Sequence, residues 1–366
     1  MFRKLMPSVV LAMLILGLPL FAHAAAKADK ADAAAPAKVA KPAPAAETTP
    51  APGPAPSDKG FCFKDTAGEY LDVYLDGRAV ARYMYANDVS TPARAHSTFK
   101  PFLHVFDAEG KAPITKGPGG DFTHHRGIFI GWQKVGFEGG KYNLWEMGKN
   151  RQVHQKFLDQ KAGPDQASFT SLVSWTLDTG KTIIEDERTF TFSRRPAPTL
   201  AFIDFVSKVK ALGGDLDLNG DPEHGGIQFR PANELTRTAT KYCFPKDAVN
   251  PAQDANADWN PPFLSKDGKK SAIAKIEATD LPWAAESFTL NGKTYFVEDM
   301  SSPDNPKGSR WSAYRDYGRF GAFPHVELKK GDVLTVRYRF WVSTGTVPTR
   351  ADFQKQYEEF SKAAAK

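Results

Sequence analysis

Cysteine is nearly absent: Cys62 and Cys243 are the two in 366 residues. There is no Cys-x-x-Cys pair, which excludes a thiolate metal cluster and dithiol redox chemistry. Both cysteines lie in aromatic, strand-like contexts, where a disulfide and two buried thiols are equally compatible with the pattern. Long apolar runs are also lacking. Beyond residue 21 charges interrupt the chain every few residues, so no later segment is expected to span a bilayer as a helix. Charge of one sign is scarce. The net charge is +6, and half of it falls before residue 60, from Arg3, Lys4 and five lysines against four acids. With no Lys/Arg cluster interleaved with aromatics, nucleic acid is not an expected partner.

What is present begins with the N-terminus. Arg3 and Lys4 precede an apolar run from Ser8 to Phe21, and Ala22-His23-Ala24 supplies small residues where a signal peptidase reads. Residues 1–24 are expected to be a signal peptide, and the mature chain to be exported to the periplasm or beyond the cell. Residues 25–60 are mostly Ala and Pro. They have almost no bulky side chain to bury, so nothing offsets the entropy of ordering, and a disordered linker is expected. Residues 61–366 are expected to form one domain, long enough for a substantial core.

That domain reads as all-β. Asp76-Gly77, Asp178-Thr179-Gly180, Asn291-Gly292 and Lys329-Lys330-Gly331-Asp332 each separate apolar runs and predict tight antiparallel connections. Many strands with short polar turns and no helical repeat indicate a large antiparallel β-sandwich of supersandwich type. One helix is expected, at the C-terminus, where Thr349 can cap, Asp352 follows three residues on, and Phe353, Tyr357 and Phe360 share a face.

Four polar clusters could carry chemistry. The first, Gly119 to Gly127, holds Asp121, His124, His125 and Arg126 directly before a strand. Adjacent histidines in a regular strand face opposite sides, so both reach one site only through an irregular loop. The second, Asp221 to Arg230, repeats the plan with Glu223 and His224 in a glycine-rich turn, then Gln228 and Arg230 on one strand face. The third holds Asp316 and Arg319, with His325 just beyond. The fourth is His104, isolated in an apolar strand, where a satisfied core histidine is the usual outcome. His124, His125, Glu223 and His224 are the catalytic candidates. Arg126, Gln228, Arg230, Asp316, Arg319 and His325 are the binding candidates.

Taken together, His124-His125-Arg126-Gly127, the run Glu223 to Arg230, Pro303-Asp304-Asn305-Pro306 and Arg315 to Arg319 resemble the bacterial PmoA-like family, over nearly the whole domain. That family carries the label "methane oxygenase". A membrane oxygenase subunit needs several spanning helices, and family members occur in bacteria that degrade complex glycans. The resemblance therefore implies a carbohydrate-related role. The histidine-rich approach to a strand also looks like aldose-epimerase (mutarotase-like) sandwiches, which place His and Glu over a reducing-end carbon.

Three function classes follow. The first is His/Glu acid–base chemistry on a sugar or small molecule, as hydrolase, lyase or epimerase. The second is a non-catalytic glycan-binding or cell-surface domain, which would need an exposed aromatic platform. The third is a metal enzyme using His124 or His125 with His224 and Glu223. No cofactor is required by the sequence, and a divalent metal is compatible with it. The export reading has a direct check. N-terminal sequencing of exported protein should start at or next to Ala25. A start at Met1 would overturn it, whereas a start at His23 would leave the N-terminal histidine that copper polysaccharide monooxygenases use.

Overall fold

The computed structural model describes residues 49–221, 224–248, 256–262 and 279–364. Two antiparallel sheets dominate. The first runs in the order Phe61–Thr66, Tyr70–Leu75, Arg78–Met84, Phe102–Val105, Ile128–Phe137, Leu216–Asn219 and Val326–Leu328, with Gly225–Phe229 and Gly140–Leu144 also pairing on Ile128–Phe137. The second runs Lys241–Cys243, Trp283–Leu290, Lys293–Ser301, Val333–Thr344, Thr199–Ala211, Thr182–Ser193, Gln166–Thr176 and Arg151–Ala162. A continuous apolar core, including Ile130, Trp132, Phe190, Phe205, Phe229 and Phe340, draws on strands of both sheets. The chain is an all-β sandwich with one long helix, Arg350–Ala364, at its C-terminus.

The turn signals act as their chemistry requires. Asp76 and Gly77 have φ of 50° and 79°, and Asn291 and Gly292 have 51° and 75°, so both hairpins close through two left-handed residues. At the helix start, the Asp352 amide donates to Thr349 Oγ1 at 3.2 Å and the Thr349 amide donates to the Asp352 carboxylate at 2.8 Å. This is a reciprocal cap. Phe353 and Phe360 are buried against Trp283 and Met300.

One connection departs from expectation. The strands on either side of Lys329 to Asp332 do not pair with each other. Val326–Leu328 joins Leu216–Asn219 in the first sheet, while Val333–Thr344 lies between Thr199–Ala211 and Lys293–Ser301 in the second. Leu328 and Leu334 both bury into the shared core, so the polar turn carries the chain across the sandwich. Among the described residues there is also a short helix, Pro92–Ser97, capped by Thr91. No described helix is long and apolar enough to cross a membrane. Cys62 and Cys243 are both thiols, and burial raises Cys243 to about 12.

Residues 49–60 form no helix and little regular structure, yet they touch the first sheet. Tyr74 donates its hydroxyl to the Gly53 carbonyl at 2.9 Å, and Arg82 donates to the Pro50 carbonyl at 2.6 Å. Arg82 also grips Asp72 on the neighbouring strand through two bonds, at 2.6 and 3.0 Å, with both side chains buried. Removing one partner strands the other charge away from water. Asp72→Ala is therefore expected to lower unfolding free energy by about 3–5 kcal/mol, read from the urea midpoint. An unchanged midpoint would refute the role given to this pair.

Candidate functional site

The strand Ile128–Phe137 organises the polar clusters. At its start, Gly119, Gly120 and Phe122 have φ of 89°, 60° and 51°, and the His125 amide donates to the Phe122 carbonyl at 2.8 Å. This turn brings the two adjacent imidazoles together, with ring centroids 4.3 Å apart. Lys116 holds the loop, its Nζ within hydrogen-bond distance of the carbonyls of Gly117, Gly119 and His125 at 2.9, 2.7 and 3.1 Å.

The second segment arrives beside the same strand. The His224 amide donates to the Asp221 carbonyl at 2.9 Å, and its Nδ1 meets the Asp221 carboxylate at 2.8 Å. The His224 carbonyl accepts from the Gln133 amide at 3.1 Å. Directly after it, Gly226 pairs with Gly131. Gly226 has φ of 68°, and a Cβ there would lie 1.8 Å from the Ala322 carbonyl oxygen. A Cβ on Gly131 would lie 2.4 Å from the Leu144 carbonyl oxygen. Both glycines are needed for neighbouring backbones to close on the strand.

A third segment completes the cluster, and sequence reasoning missed it. Asn143 Oδ1 accepts the amides of Trp145 and Glu146 at 3.0 and 2.8 Å, an Asx turn that fixes Glu146. One ligand-capable atom each of His124, His224 and Glu146 lie within 4.8 Å of one another. The only local signal was an Asn three residues before an acid in a strand-ending turn, with no histidine beside it. Glu223, proposed for the carboxylate role, lies outside the described residues.

Aromatic rings wall the cluster. His125 sits 5.3 Å from Phe122, 6.1 Å from Tyr317 and 6.2 Å from Trp145, centroid to centroid. Burial, helped by the charges of Lys100, His224, Arg319 and Arg126, pushes His124 down to about 2. Burial likewise holds His125 well below the usual imidazole range. Both rings are neutral at physiological pH. His124 Nε2 and both ring nitrogens of His125 are buried without a hydrogen-bond partner among the described residues.

The remaining candidates form a surround. Arg319 donates to Gln228 Oε1 at 2.8 Å, and Gln228 donates to the Gly225 carbonyl at 3.1 Å. Arg230 donates to the Tyr317 and Pro231 carbonyls and stacks 4.9 Å from the Tyr317 ring centre. Asp316 and Asp121 both face Arg237, at 3.5 and 2.8 Å. Arg126 packs over Phe99 and donates to the His96 carbonyl at 3.1 Å. His325 is held elsewhere, on an exposed sheet edge, by Asp217 at 2.7 Å and Asn219 at 3.2 Å. His104 is a core histidine bonded to Thr115 at 2.9 Å and Thr49 at 3.2 Å.

A model described as a family of unknown function, DUF6807, matches residues 70–358. The chain belongs to the DUF6807 family. The PmoA-like resemblance read from the motifs finds no counterpart in the comparisons, and no curated protein matches this DUF6807 member. Among solved structures, it is similar to a mutant of heparan sulfate lyase HepC from Pedobacter heparinus, at 8% identity and a TM-score of 0.37, over 79% of this chain and 37% of that one. It is similar to an aldose 1-epimerase candidate from Escherichia coli K12, at 10% identity and a TM-score of 0.33, over 78% of this chain and all of that one. A glycoside hydrolase family 97 enzyme from Pseudoalteromonas sp. strain K8, solved with acarbose, aligns at 12% identity and a TM-score of 0.32, over 80% of this chain and 35% of that one. The DUF6807 chain thus spans little more than a third of the lyase and of the hydrolase. At these scores the likenesses carry no argument about activity.

Neutral buried histidines make the fold acid-sensitive. Burial lowers His104 to about 3, below its unfolded value near 6.5. Below about pH 6.5 the unfolded chain binds the proton and the folded chain does not, so stability falls as pH drops toward 3. Between pH 6.5 and 5 this one group removes up to about 2 kcal/mol, at roughly 1.4 kcal/mol per pH unit. Melting temperature should therefore be lower at pH 5 than at pH 7.5. His104→Asn should show a smaller drop between the two. Parallel drops in both proteins would rule His104 out as a source.

Proposed function

We propose that this DUF6807 chain is an exported enzyme acting on a sugar or glycan by acid–base chemistry at the site built from His124, His125, His224 and Glu146. The observation that carries the reading is the convergence of His124, His224 and Glu146 within 4.8 Å, with the His125 ring edge-on to His124 at 4.3 Å. Three chain segments, each with its own turn, supply these groups. Neutral imidazoles both donate and accept hydrogen bonds, and a carboxylate accepts. Phe122 and the buried rings of Trp145 and Tyr317 wall these groups off from bulk water.

The arrangement favours breaking a C–H bond over hydrolysis by paired carboxylates. A glycosidase pair needs two free acids about 5–10 Å apart. Among the described acids near the cluster, Asp121 and Asp316 face Arg237 and Asp221 faces His224, which leaves Glu146 in the cluster and Glu286 buried against Gly318. In an epimerase or lyase a base takes the proton beside a carbonyl or carboxylate, and the electron pair moves onto oxygen. Reprotonation on the opposite face gives the epimer; loss of a β-oxygen substituent gives the unsaturated sugar. The charges of Arg126 and Arg319, close enough to bear on His124, favour the developing anion. A glycan-binding module gains no comparable support. Among the described residues the large hydrophobics that stand exposed are Val89, Leu158, Val333 and Val347, with no aromatic among them.

The test is turnover of neutral and uronate-containing glycans, followed by absorbance of unsaturated products and by NMR of epimers. His125→Ala, His224→Ala and Glu146→Gln are each expected to lose about 100-fold or more in rate while their circular dichroism melts stay cooperative. Rates equal to wild type in all three would overturn the reading.

A further inference from the structure

We propose that His124, His224 and Glu146 together hold one divalent transition-metal ion, zinc being the best match, and that His125 is left to carry the proton. The use made of the ion rests on the sugar-enzyme reading; the site itself does not.

Each of the three side chains is prepared as a ligand. His124 presents a buried Nε2 with no hydrogen-bond partner. His224 has Nδ1 fixed by the Asp221 carboxylate at 2.8 Å, so the proton sits on Nδ1 and the Nε2 lone pair is available. That carboxylate–imidazole pairing is the usual outer support of a metal-bound histidine. Glu146 has Oε2 held by the Asn143 amide at 3.2 Å, leaving Oε1 to bind, and its backbone is fixed by the Asn143 turn. In tetrahedral geometry, metal–nitrogen and metal–oxygen bonds of about 2.0–2.2 Å place two donors on one ion roughly 3.3–3.6 Å apart. A donor set already within 4.8 Å closes with side-chain shifts on the order of 1 Å.

Composition selects the ion. Two neutral imidazoles and one carboxylate suit zinc and its first-row neighbours, whereas magnesium and calcium take oxygen ligands. Three protein ligands leave a coordination position for a substrate oxygen. Such an ion also removes a conflict in the site. An ionised Glu146 facing a developing oxyanion opposes the reaction, and a bound dication reverses the sign of the local field. The other grouping of this kind among the described residues, Asp217, His325 and Glu327, is more exposed and has one histidine.

The experiment uses the purified full chain, stripped with chelator, dialysed against Zn2+ and assayed by elemental mass spectrometry, with Co2+ as a spectroscopic substitute. One ion per chain is expected. His124→Ala, His224→Ala and Glu146→Gln should each weaken Zn2+ binding at least 10-fold, Asp221→Asn about 10–100-fold, and Glu327→Gln not at all. Co2+ in wild type should give the intense visible bands of a low-coordinate site, which keeps the test decisive should a variant misfold. Wild type without stoichiometric ion, unchanged binding in the His124→Ala/His224→Ala double variant, or loss confined to Glu327→Gln would each overturn the site. Because metal is read without substrate, the two readings fail separately. A bound ion with no sugar turnover would sink the enzyme reading alone. Turnover by ion-free protein would sink the catalytic use of the ion alone.

Discussion

Backbone pairing along Ile128–Phe137 is the constraint on which the rest of the site depends. One edge of that strand takes Gly225–Phe229 and Leu216–Asn219, and the other takes Phe102–Val105 and Gly140–Leu144. His124 and His125 lead into it, His224 lies one residue before one partner, and Glu146 lies two residues after another. The ladder therefore sets the distance between groups that are about 100 residues apart in the chain. Gly131 facing Gly226 keeps the centre of the ladder free of side chains, so the partner strands and the turns at their ends close over it.

Polar groups gathered at such a place lose water and need compensation. Much of it comes from backbone. Lys116 Nζ lies within hydrogen-bond distance of three carbonyls of the loop that carries the histidines, and Asn143 closes the turn that carries Glu146. Arg230 and Arg319 are engaged with the Tyr317 carbonyl and with Gln228. Among the described residues, His124 Nε2 and the two nitrogens of His125 stay without a hydrogen-bond partner. Buried, neutral and without partners, these atoms have capacity left for a ligand.

The fold was legible because its signals are local. Asp76-Gly77 and Asn291-Gly292 adopt left-handed φ wherever they occur between apolar runs, and Thr349 with Asp352 forms a cap from four consecutive residues. Lys329 to Asp332 misled for the same reason: a polar turn states that the chain turns, not which sheet receives the next strand. Glu146 was invisible because its role comes from a ladder contact with a strand ten residues earlier and from an Asx turn, neither marked by a motif. His325 carried a motif-like setting, yet Asp217 on the adjacent strand claims it.

By itself, then, the sequence determined the all-β class, most of the turns, the C-terminal helix and the two histidine-bearing loops, since each rests on propensity and spacing within a few residues. Tertiary structure alone decided which of those polar residues meet. Convergence of His124, His224 and Glu146 depends on strand order and register, and those are settled by burial of the whole sandwich core rather than by any residue of the site.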